Sequence, residues 1–248
     1  MDWRPNPVLS RIKTNVIIPT YNESGTIGPL ISAIRTHLPS ADVLIIDDAS
    51  TDGTGALVSG LAAADPQISL VERAGKLGLG TAYILGFRRA LSKGYELVIT
   101  MDADFSHDPK SLPQLVEATA NCDVAIGSRY IPGGSTPDWR LSRRLISRFG
   151  NWLARTTLHL QVRDCTSGYK CYRREALASL DLNSIKVIGY GFQIETVRET
   201  SAAGMRVCEI PITFIDRRVG KSKMSGTILA EATGYILRHA FTPHRDSK

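Results

Sequence analysis

Two aspartates follow a short apolar stretch near the middle of the chain. Leu97–Met101 is rich in aliphatic and β-branched residues, typical of a strand buried on both faces, and Asp102 and Asp104 come directly after it. In an open α/β sheet, ligands bind beyond the carboxyl ends of the strands. Carboxylates there are hard oxygen ligands, so the pair predicts a site for Mg²⁺ or Mn²⁺ carrying a phosphate-bearing substrate. An Asp-rich turn that only ends a strand is the alternative.

Strands and helices alternate regularly around these aspartates. The predicted strands are Thr14–Pro19, Asp42–Ile46, Ile68–Val71, Leu97–Met101 and Asp123–Ile126, and the predicted helices are Thr26–His37, Thr54–Ala64, Thr81–Leu91 and Leu112–Ala120. This order predicts the α/β class, with a mostly parallel central sheet flanked by helices on both faces.

The alternation breaks after Ser128. The remaining predicted elements are helices at Leu141–Leu160, Gly191–Ala203 and Thr227–Phe241, a strand within Thr166–Tyr172 and two short strands within Val207–Ile215. No linker rich in Pro, Gly or Ser divides the chain. We therefore expect a flexible arm at residues 1–13 and a single domain at residues 14–241.

Three polar clusters follow three of the predicted parallel strands. They are Pro19–Glu23, Asp47–Ser50 and Asp102–Asp104. Because the ends of parallel strands converge at one edge of a sheet, the clusters should line one crevice. A nucleotide in that crevice needs walls for its base, which Tyr21 and Ile45 offer, and hydrogen-bond acceptors, which Glu23 and Asp47 offer. Loop capping alone would explain one such cluster better than three.

Composition narrows the classes of partner and of cellular context. The net charge of +6 and the pI near 9.2 favour anionic partners, but aromatic residues make up only 7% and do not alternate with basic ones, so nucleic acid is not expected. The four cysteines form no CxxC pair, which predicts reduced thiols rather than a disulfide or metal framework. Neither a signal segment nor an apolar run of about 18 residues is present, so a cytoplasmic protein, soluble or peripheral on a membrane, is expected.

Seven strings together resemble glycosyltransferase family 2, and within it the polyprenol-phosphate (dolichol-phosphate) mannose synthases. The strings are VIIPTYNE from Val16, IIDDASTDGT from Ile45, MDADFSHDP from Met101, GSRYIPGG from Gly127, DCTSGYK from Asp164, GYGFQIE from Gly189 and DRRVGKSK from Asp216. The first three occur across the family, and the later ones are typical of the polyprenol-phosphate sugar synthases. The resemblance spans about residues 13–241 and implies a GT-A fold.

This resemblance implies an enzyme that transfers mannose from GDP-mannose to a polyprenyl or dolichyl monophosphate with inversion. It assigns the nucleotide sugar to Pro19, Tyr21, Glu23, Ile45, Asp47, Asp102, Ala103, Asp104, Arg129, Arg217 and Lys223. It assigns Mg²⁺ or Mn²⁺ to Asp102 and Asp104, the acceptor phosphate to Arg129, Arg143 and Ser147, and the catalytic roles to Asp104, Arg129, Arg217 and Lys223. Some members carry Gln where this chain has the shorter Ser106, which leaves a third protein ligand of the metal unassigned.

Two further residues near the implied site are titratable. Glu195 is expected to position other groups rather than to act as a base, since a lipid phosphate is already anionic near neutral pH and needs no strong base. His107 stands beside the aspartates, and packing or hydrogen bonding is a better interpretation than metal ligation.

The predicted helix Leu141–Leu160 is amphipathic and basic. Leu141, Leu145, Phe149, Trp152 and Leu153 share one face, and five arginines, at 140, 143, 144, 148 and 155, lie on the other. We expect an interfacial helix on a peripheral membrane surface, while ordinary packing on the core explains the apolar face equally well. Membrane- or acceptor-facing elements are therefore expected in residues 129–160 and 216–241, with a membrane-anchoring subunit as a further possible partner.

Two other functions stay open. One is transfer of glucose from another nucleotide sugar to the same lipid phosphate, because sugar choice rests on a few hydroxyl contacts. The other is a non-catalytic module that binds a nucleotide or lipid. The second predicts damaged metal-binding residues, yet both Asp102 and Asp104 are present.

Overall fold

The structure is a computed structural model that describes residues 12–185, Gly189, residues 191–216 and Gly234. Most of the predicted N-terminal arm, Arg217, Lys223 and nearly all of the predicted helix Thr227–Phe241 lie outside the described residues. The limits of the single domain at residues 14–241 therefore stay a prediction.

Within the described residues, seven strands form one central sheet. They are β1 (Thr14–Thr20), β2 (Asp42–Asp47), β3 (Ile68–Glu72), β4 (Leu97–Thr100), β5 (Val124–Ser128), β6 (Lys170–Arg173) and β7 (Val207–Pro211), in the spatial order β3-β2-β1-β4-β6-β5-β7. Only β6 among them is antiparallel to its neighbours. The predicted α/β class with a mostly parallel sheet is confirmed.

Helices cover both faces of the sheet. They are α1 (Ile27–His37), α2 (Thr54–Ala64), α3 (Leu79–Ser92), α4 (Leu112–Ala118), α5 (Leu141–Thr157), α6 (Arg174–Ala178) and α7 (Gly191–Ala202). Successive residues of a strand point to opposite faces. In β1, Val16 and Ile18 accordingly pack on the side of α1 and α4, and Ile17 packs on the side of α3 and α7. Packing on both faces holds the strands in place, and this fixes the edge of the sheet from which the loops extend.

The direction of each strand determines which loops lie at the same edge of the sheet. The carboxyl ends of β2, β1, β4, β5 and β7 lie at one edge, and so does the amino end of β6, because Lys170 of β6 pairs with Thr100 of β4. The loops after Thr20, Asp47, Thr100 and Ser128 and the segment before Lys170 therefore share this edge, which confirms the predicted convergence of the three polar clusters.

Two expectations for the second half of the chain need correction. Val207–Ile215 contains one strand, β7, and an isolated bridge from Thr213 to Ser135 rather than two strands. The expectation of reduced thiols throughout is wrong, because Cys122 and Cys208 form a disulfide. The two cysteines are 86 residues apart and meet only because β5 and β7 are neighbours, which no local spacing reveals. Among the described residues, no helix is long and apolar enough to cross a membrane.

Candidate active site

The Asp102–Asp104 pair lies beyond β4, at the middle of the polar edge. The side chain of Asp102 is 35% exposed, whereas Asp104 is 4% exposed. Ser106 donates two hydrogen bonds to Oδ1 of Asp104, from its hydroxyl at 2.5 Å and from its backbone N–H at 3.0 Å. Ser106 thus orients the buried carboxylate, a role that sequence reasoning did not assign to it.

His107 contacts the backbone of Asp102. Its Nδ1 accepts the backbone N–H of Asp102 at 3.0 Å, and its ring stacks on Tyr169 with centroids 4.8 Å apart. Burial lowers the pKa of His107, against the opposing effect of the carboxylates of Asp102 and Asp104. In the described part of the chain, no three His, Cys, Asp or Glu side chains group to hold a metal. The hydrogen bond from Asp102 and the stacking on Tyr169 agree with a packing and hydrogen-bonding histidine.

The loops after β1 and β2 are tied to each other by hydrogen bonds. Asp47 is 1% exposed, and its carboxylate accepts hydrogen bonds from the hydroxyls of Thr20 at 2.7 Å and Ser50 at 2.6 Å and from the N–H of Ser50. Asn22 receives a hydrogen bond from the N–H of Thr51 at 2.8 Å. The carboxylate of Asp47 thus holds the two loops together, and its expected role as an acceptor for a nucleobase stays a prediction.

Backbone strain marks the same three loops. Asn22, Ala49 and Phe105 have φ of 56°, 55° and 62°, in the left-handed region that residues other than glycine rarely adopt. Each follows one of the strands β1, β2 and β4. Such strain costs on the order of 1–3 kcal/mol per residue and clusters at functional sites, so the observation supports one functional centre at this edge.

The predicted base-binding residues divide into two groups. Pro19, Tyr21 and Glu23 are partly exposed at the end of β1, where the ammonium of Lys76 lies 4.2 Å from the centroid of the Tyr21 ring. Ile45 is fully buried in the core, and its expected role as a wall of the pocket stays a prediction. β2 lies between β1 and β3 with helices on both faces, which leaves no side of Ile45 open.

A buried ion pair holds the loop that contains Lys76. Asp48 pairs with Arg73 and accepts the N–H groups of Leu77 and Gly78 at 3.1 and 3.2 Å. Arg73 also donates to the hydroxyl of Thr81 at 2.7 Å, at the start of α3. Sequence reasoning grouped Asp48 with the other acids of the crevice and missed this role, because its partner lies 25 residues away.

Arg129 lies at the end of β5 and is 8% exposed. Its Nε and one terminal nitrogen bond both carboxylate oxygens of Asp164 at 2.8 and 2.7 Å, and the same terminal nitrogen bonds the hydroxyl of Thr166. Burial opposes ionisation of Asp164, but the Arg129 charge and hydrogen bonds lower its pKa. The loop that follows can lie on this strand end because residue 134 is glycine: a Cβ there would lie 2.6 Å from the carbonyl oxygen of Ser128.

Arg143 and Ser147 of α5 reach the same region. The Arg143 guanidinium lies 4.0 Å from the Trp139 ring, and one nitrogen bonds both oxygens of Asp216 at 2.7 and 2.9 Å. Tyr130 donates its hydroxyl to Ser147 at 2.6 Å. Arg129 lies 5.4 Å from the rings of both Trp139 and Phe214. The structure thus brings Arg129, Arg143 and Ser147 around one aromatic cluster, whose members sequence reasoning missed: Tyr130, Trp139 and Phe214.

The remaining predicted residues have clear positions. Ala103 is buried between the two aspartates, and Glu195 lies in α7, where it is 8% exposed.

On α5, the side chains of Leu141, Leu145, Ile146, Phe149 and Trp152 are 54–71% exposed. The helix packs inward through Asn151 and Ala154, with Leu153 partly buried. Packing on the core therefore does not explain most of its apolar face.

Comparison with known proteins decides the family. The model of glycosyl transferase family 2 matches residues 15–181. The undecaprenyl-phosphate mannosyltransferase of Micrococcus luteus is 46% identical over 222 residues, which is 90% of this chain and 91% of that protein. The chain belongs to glycosyl transferase family 2.

Other relatives of this family 2 chain agree. The polyprenol monophosphomannose synthase of Mycolicibacterium smegmatis is 43% identical over 230 residues, covering 92% of this chain and 87% of that protein. Glucosyl-3-phosphoglycerate synthase from Mycobacterium tuberculosis, crystallised with Mn²⁺, UDP and phosphoglyceric acid, has a TM-score of 0.70 at 20% identity, covering 98% of this chain and 86% of that one. A mannosyltransferase from Pyrobaculum calidifontis in complex with GDP-Man and Mn²⁺ has a TM-score of 0.62 at 20% identity, covering 96% and 67%. The last two likenesses show the GT-A fold, and the family and its closer relatives make this protein a glycosyltransferase.

Proposed function

We propose that this glycosyltransferase transfers mannose from GDP-mannose to a polyprenyl monophosphate, with a divalent cation and with inversion at the anomeric carbon. Two relatives that are 43% and 46% identical over most of the chain carry the names of polyprenyl-phosphate mannose transferases. The donor, the cation and the inversion are proposed from the chemical groups that lie at the polar edge of the sheet.

The order of strands along this edge carries the proposal. A transferase of this kind needs sites for nucleoside, diphosphate, sugar and acceptor phosphate in that order. The edge runs β2, β1, β4, β6, β5. The polar loops follow β2 and β1, the carboxylate pair follows β4, Gly168 precedes β6, and the arginine–aromatic cluster follows β5. The chemical groups therefore occur in the order that the reaction requires.

The carboxylate pair fits Mg²⁺ or Mn²⁺. These cations are held by one or two carboxylates and complete their coordination with water and substrate phosphates. Asp104 is oriented by Ser106, and Asp102 is partly exposed beside Gly168, where a Cβ would lie 3.7 Å from Oδ1 of Asp102. Asp102 and Asp104 would hold the cation, which would supply charge compensation for the departing diphosphate.

The acceptor phosphate is assigned to the cluster around Trp139. Two N–H donors there, Nε1 of Trp139 and Nε of Arg143, are buried and have no hydrogen-bond partner among the residues that the structure describes. Arg143 pairs with Asp216 in an ion pair whose side chains are 30% and 42% exposed. A phosphate can replace Asp216 on Arg143 at small cost, because exposed ion pairs contribute only about 0–1 kcal/mol.

Arg129 has a different role in this proposal. Its charge is balanced by the buried Asp164, so it holds Tyr130, Trp139 and Phe214 in place through its guanidinium. Residues Arg217 and Lys223 are proposed to contact the phosphates, as the family resemblance implies.

The chemical step follows from the charges. An oxygen of the lipid phosphate attacks the anomeric carbon as the bond from that carbon to the diphosphate oxygen breaks, and GDP departs with the electron pair. The attacking phosphate is already ionised because its second pKa is about 6, so no strong base is required. Attack opposite the leaving group converts the α-linked donor into a β-linked mannosyl phosphate. The protein contributes alignment and cationic groups that offset repulsion between two anions.

The exposed face of α5 is proposed to lie on an anionic bilayer, where the lipid acceptor resides. Its exposed apolar side chains are bordered by the exposed Arg140, Arg148 and Arg155, an arrangement that matches a surface of acyl chains beneath acidic headgroups. Replacing both Phe149 and Trp152 with Ser should abolish sedimentation with phosphatidylglycerol-containing vesicles. The control is Leu57→Ser, an equally simple change at a 40% exposed leucine of α2. Unchanged sedimentation of the double variant would contradict membrane docking and favour residues 217–248 or a second copy as the occupant.

A transfer assay tests the function. Purified protein should transfer labelled sugar from GDP-mannose, but not from UDP-glucose, to a short polyprenyl phosphate, and EDTA should stop the reaction. Asp104→Asn should lower kcat by at least about 100-fold, since it weakens the cation site. Equal use of UDP-glucose would replace mannose by glucose in the proposal. Full activity in EDTA, or an α-linked product, would contradict the mechanism.

A further inference from the structure

A buried lysine fixes the side chain of Gln193 at the base of the active site. Lys170, the first residue of β6, is fully buried, and its ammonium donates to three oxygens: the backbone and side-chain carbonyls of Gln193 at 2.8 and 2.9 Å and the hydroxyl of Thr196 at 3.0 Å. An ammonium group has three donors and no acceptor. In the ammonium form these three bonds use the whole group and hold the oxygen end of the Gln193 amide against Lys170, whose pKa burial lowers to about 7.

The other end of that amide borders the space beside Gly168 and Asp102. Gln193 is 2% exposed, and its Nε2 has no hydrogen-bond partner within the described ranges. A Cβ added to Gly168 would lie 3.3 Å from Nε2, 3.5 Å from Cε1 of His107 and 3.7 Å from Oδ1 of Asp102. The amide nitrogen and the Asp102 carboxylate thus border the same small space beside Gly168.

An unpaired buried N–H costs about 1–3 kcal/mol, so its persistence next to a carboxylate needs an explanation. Lys170 and His107 are fixed by their own contacts, and the Asp102 side chain is 35% exposed. Carboxylates that bind a metal are in turn held by hydrogen bonds from neighbouring groups.

We propose that Gln193 is a positioning residue for the metal site: its Nε2 donates a hydrogen bond to Asp102 when that carboxylate binds the cation. Lys170 holds the amide in the orientation that makes this possible, and the space left by the absent side chain of Gly168 lets the two groups meet. This inference rests on the proposed cation site at Asp102 and Asp104.

The binding of Mn²⁺ with GDP, measured by titration calorimetry, tests the inference without any sugar transfer. Gln193→Met removes the donor and should weaken Mn²⁺ binding in the presence of GDP by about 10–100-fold, the usual effect of losing such a contact. Gln193→Glu keeps an oxygen for Lys170 and should also weaken Mn²⁺ binding if the N–H is what matters. Metal-free GDP binding should be unchanged in both variants.

Thr196→Val is the matched control, because it also removes one acceptor from Lys170 but leaves Nε2 in place. It should lower the melting temperature as Gln193→Met does and leave the Mn²⁺ affinity at the wild-type value. Equal losses of Mn²⁺ affinity in Thr196→Val and Gln193→Met would reduce Gln193 to a structural role.

Three other results are decisive. Wild-type Mn²⁺ affinity in Gln193→Met, or tighter Mn²⁺ binding by Gln193→Glu, would overturn the inference and leave the proposed function intact. Weaker binding of GDP-mannose with unchanged Mn²⁺–GDP binding would assign the amide to the sugar instead and would also overturn it. Failure of wild-type protein to bind Mn²⁺ with GDP would refute the cation site of the proposed function itself.

Discussion

Two arginine–aspartate pairs meet the same tryptophan, and they differ in burial. Arg129 and Asp164 have side chains that are 7% and 0% exposed, while Arg143 and Asp216 are 30% and 42% exposed. Both arginines carry the same charge and approach Trp139 at 5.4 and 4.0 Å. The family resemblance implies an acceptor-phosphate role for both arginines, but the two differ in burial. A buried pair is costly to break, and an exposed pair can exchange its carboxylate for a substrate anion.

The largest effect is expected from breaking the buried pair. Asp164→Asn keeps the shape of the side chain but leaves the Arg129 charge uncompensated, which should lower the free energy of unfolding by about 3–5 kcal/mol. Urea unfolding followed by circular dichroism measures this loss. A loss below about 1 kcal/mol would place Arg129 with Arg143 as an exchangeable ligand.

The same pair should set part of the acid sensitivity of the fold. Burial opposes ionisation of Asp164, but Arg129 lowers its pKa below the ordinary value in the native state. A carboxyl whose native pKa is lowered contributes stability above its unfolded pKa of about 3.9 and loses it as pH falls through the native value. Between pH 6 and pH 3, urea midpoints should therefore fall more steeply for wild type than for Asp164→Asn. Parallel curves would contradict this assignment.

Breaking the exposed pair should affect substrate binding rather than stability. Arg143→Met should raise the KM for polyprenyl phosphate about 10–100-fold, since a charge-assisted hydrogen bond contributes about 1.5–3 kcal/mol, while unfolding changes by less than about 1 kcal/mol. Arg206→Met is a matched control, because Arg206 forms an exposed ion pair with Asp123 away from this cluster. A rise in the KM for GDP-mannose instead would move Arg143 to the donor.

The smallest effect is expected from the carboxylate that competes for Arg143. Asp216→Asn removes the competing charge and should lower the KM for polyprenyl phosphate by about 2–5-fold, with unfolding changed by less than about 1 kcal/mol. Steady-state kinetics at low ionic strength give the clearest signal, because salt screens exposed charges. A raised KM would show that Asp216 supports the acceptor site rather than competing for it.

The carboxylate pair after β4 and the arginine–aspartate pairs around Trp139 differ in how well the sequence predicts them. Asp102 and Asp104 follow a strand whose apolar pattern is local, so their place at the sheet edge was predicted correctly. The partners of Arg129 and Arg143 lie 35 and 73 residues away, so no local pattern distinguishes a framework arginine from an exchangeable one. The burial of Ile45 is hidden from the sequence for a related reason: β2 is covered on both faces, and only the packed structure shows this.

Diffraction from crystals grown with Mn²⁺ and GDP-mannose, with anomalous data collected for manganese, tests the central claim most directly. The account predicts one strong anomalous peak between the carboxylates of Asp102 and Asp104, with guanine beside Tyr21 and mannose above Gly168, facing the cluster around Trp139. A manganese peak elsewhere, or a donor whose mannose points away from that cluster, would contradict it.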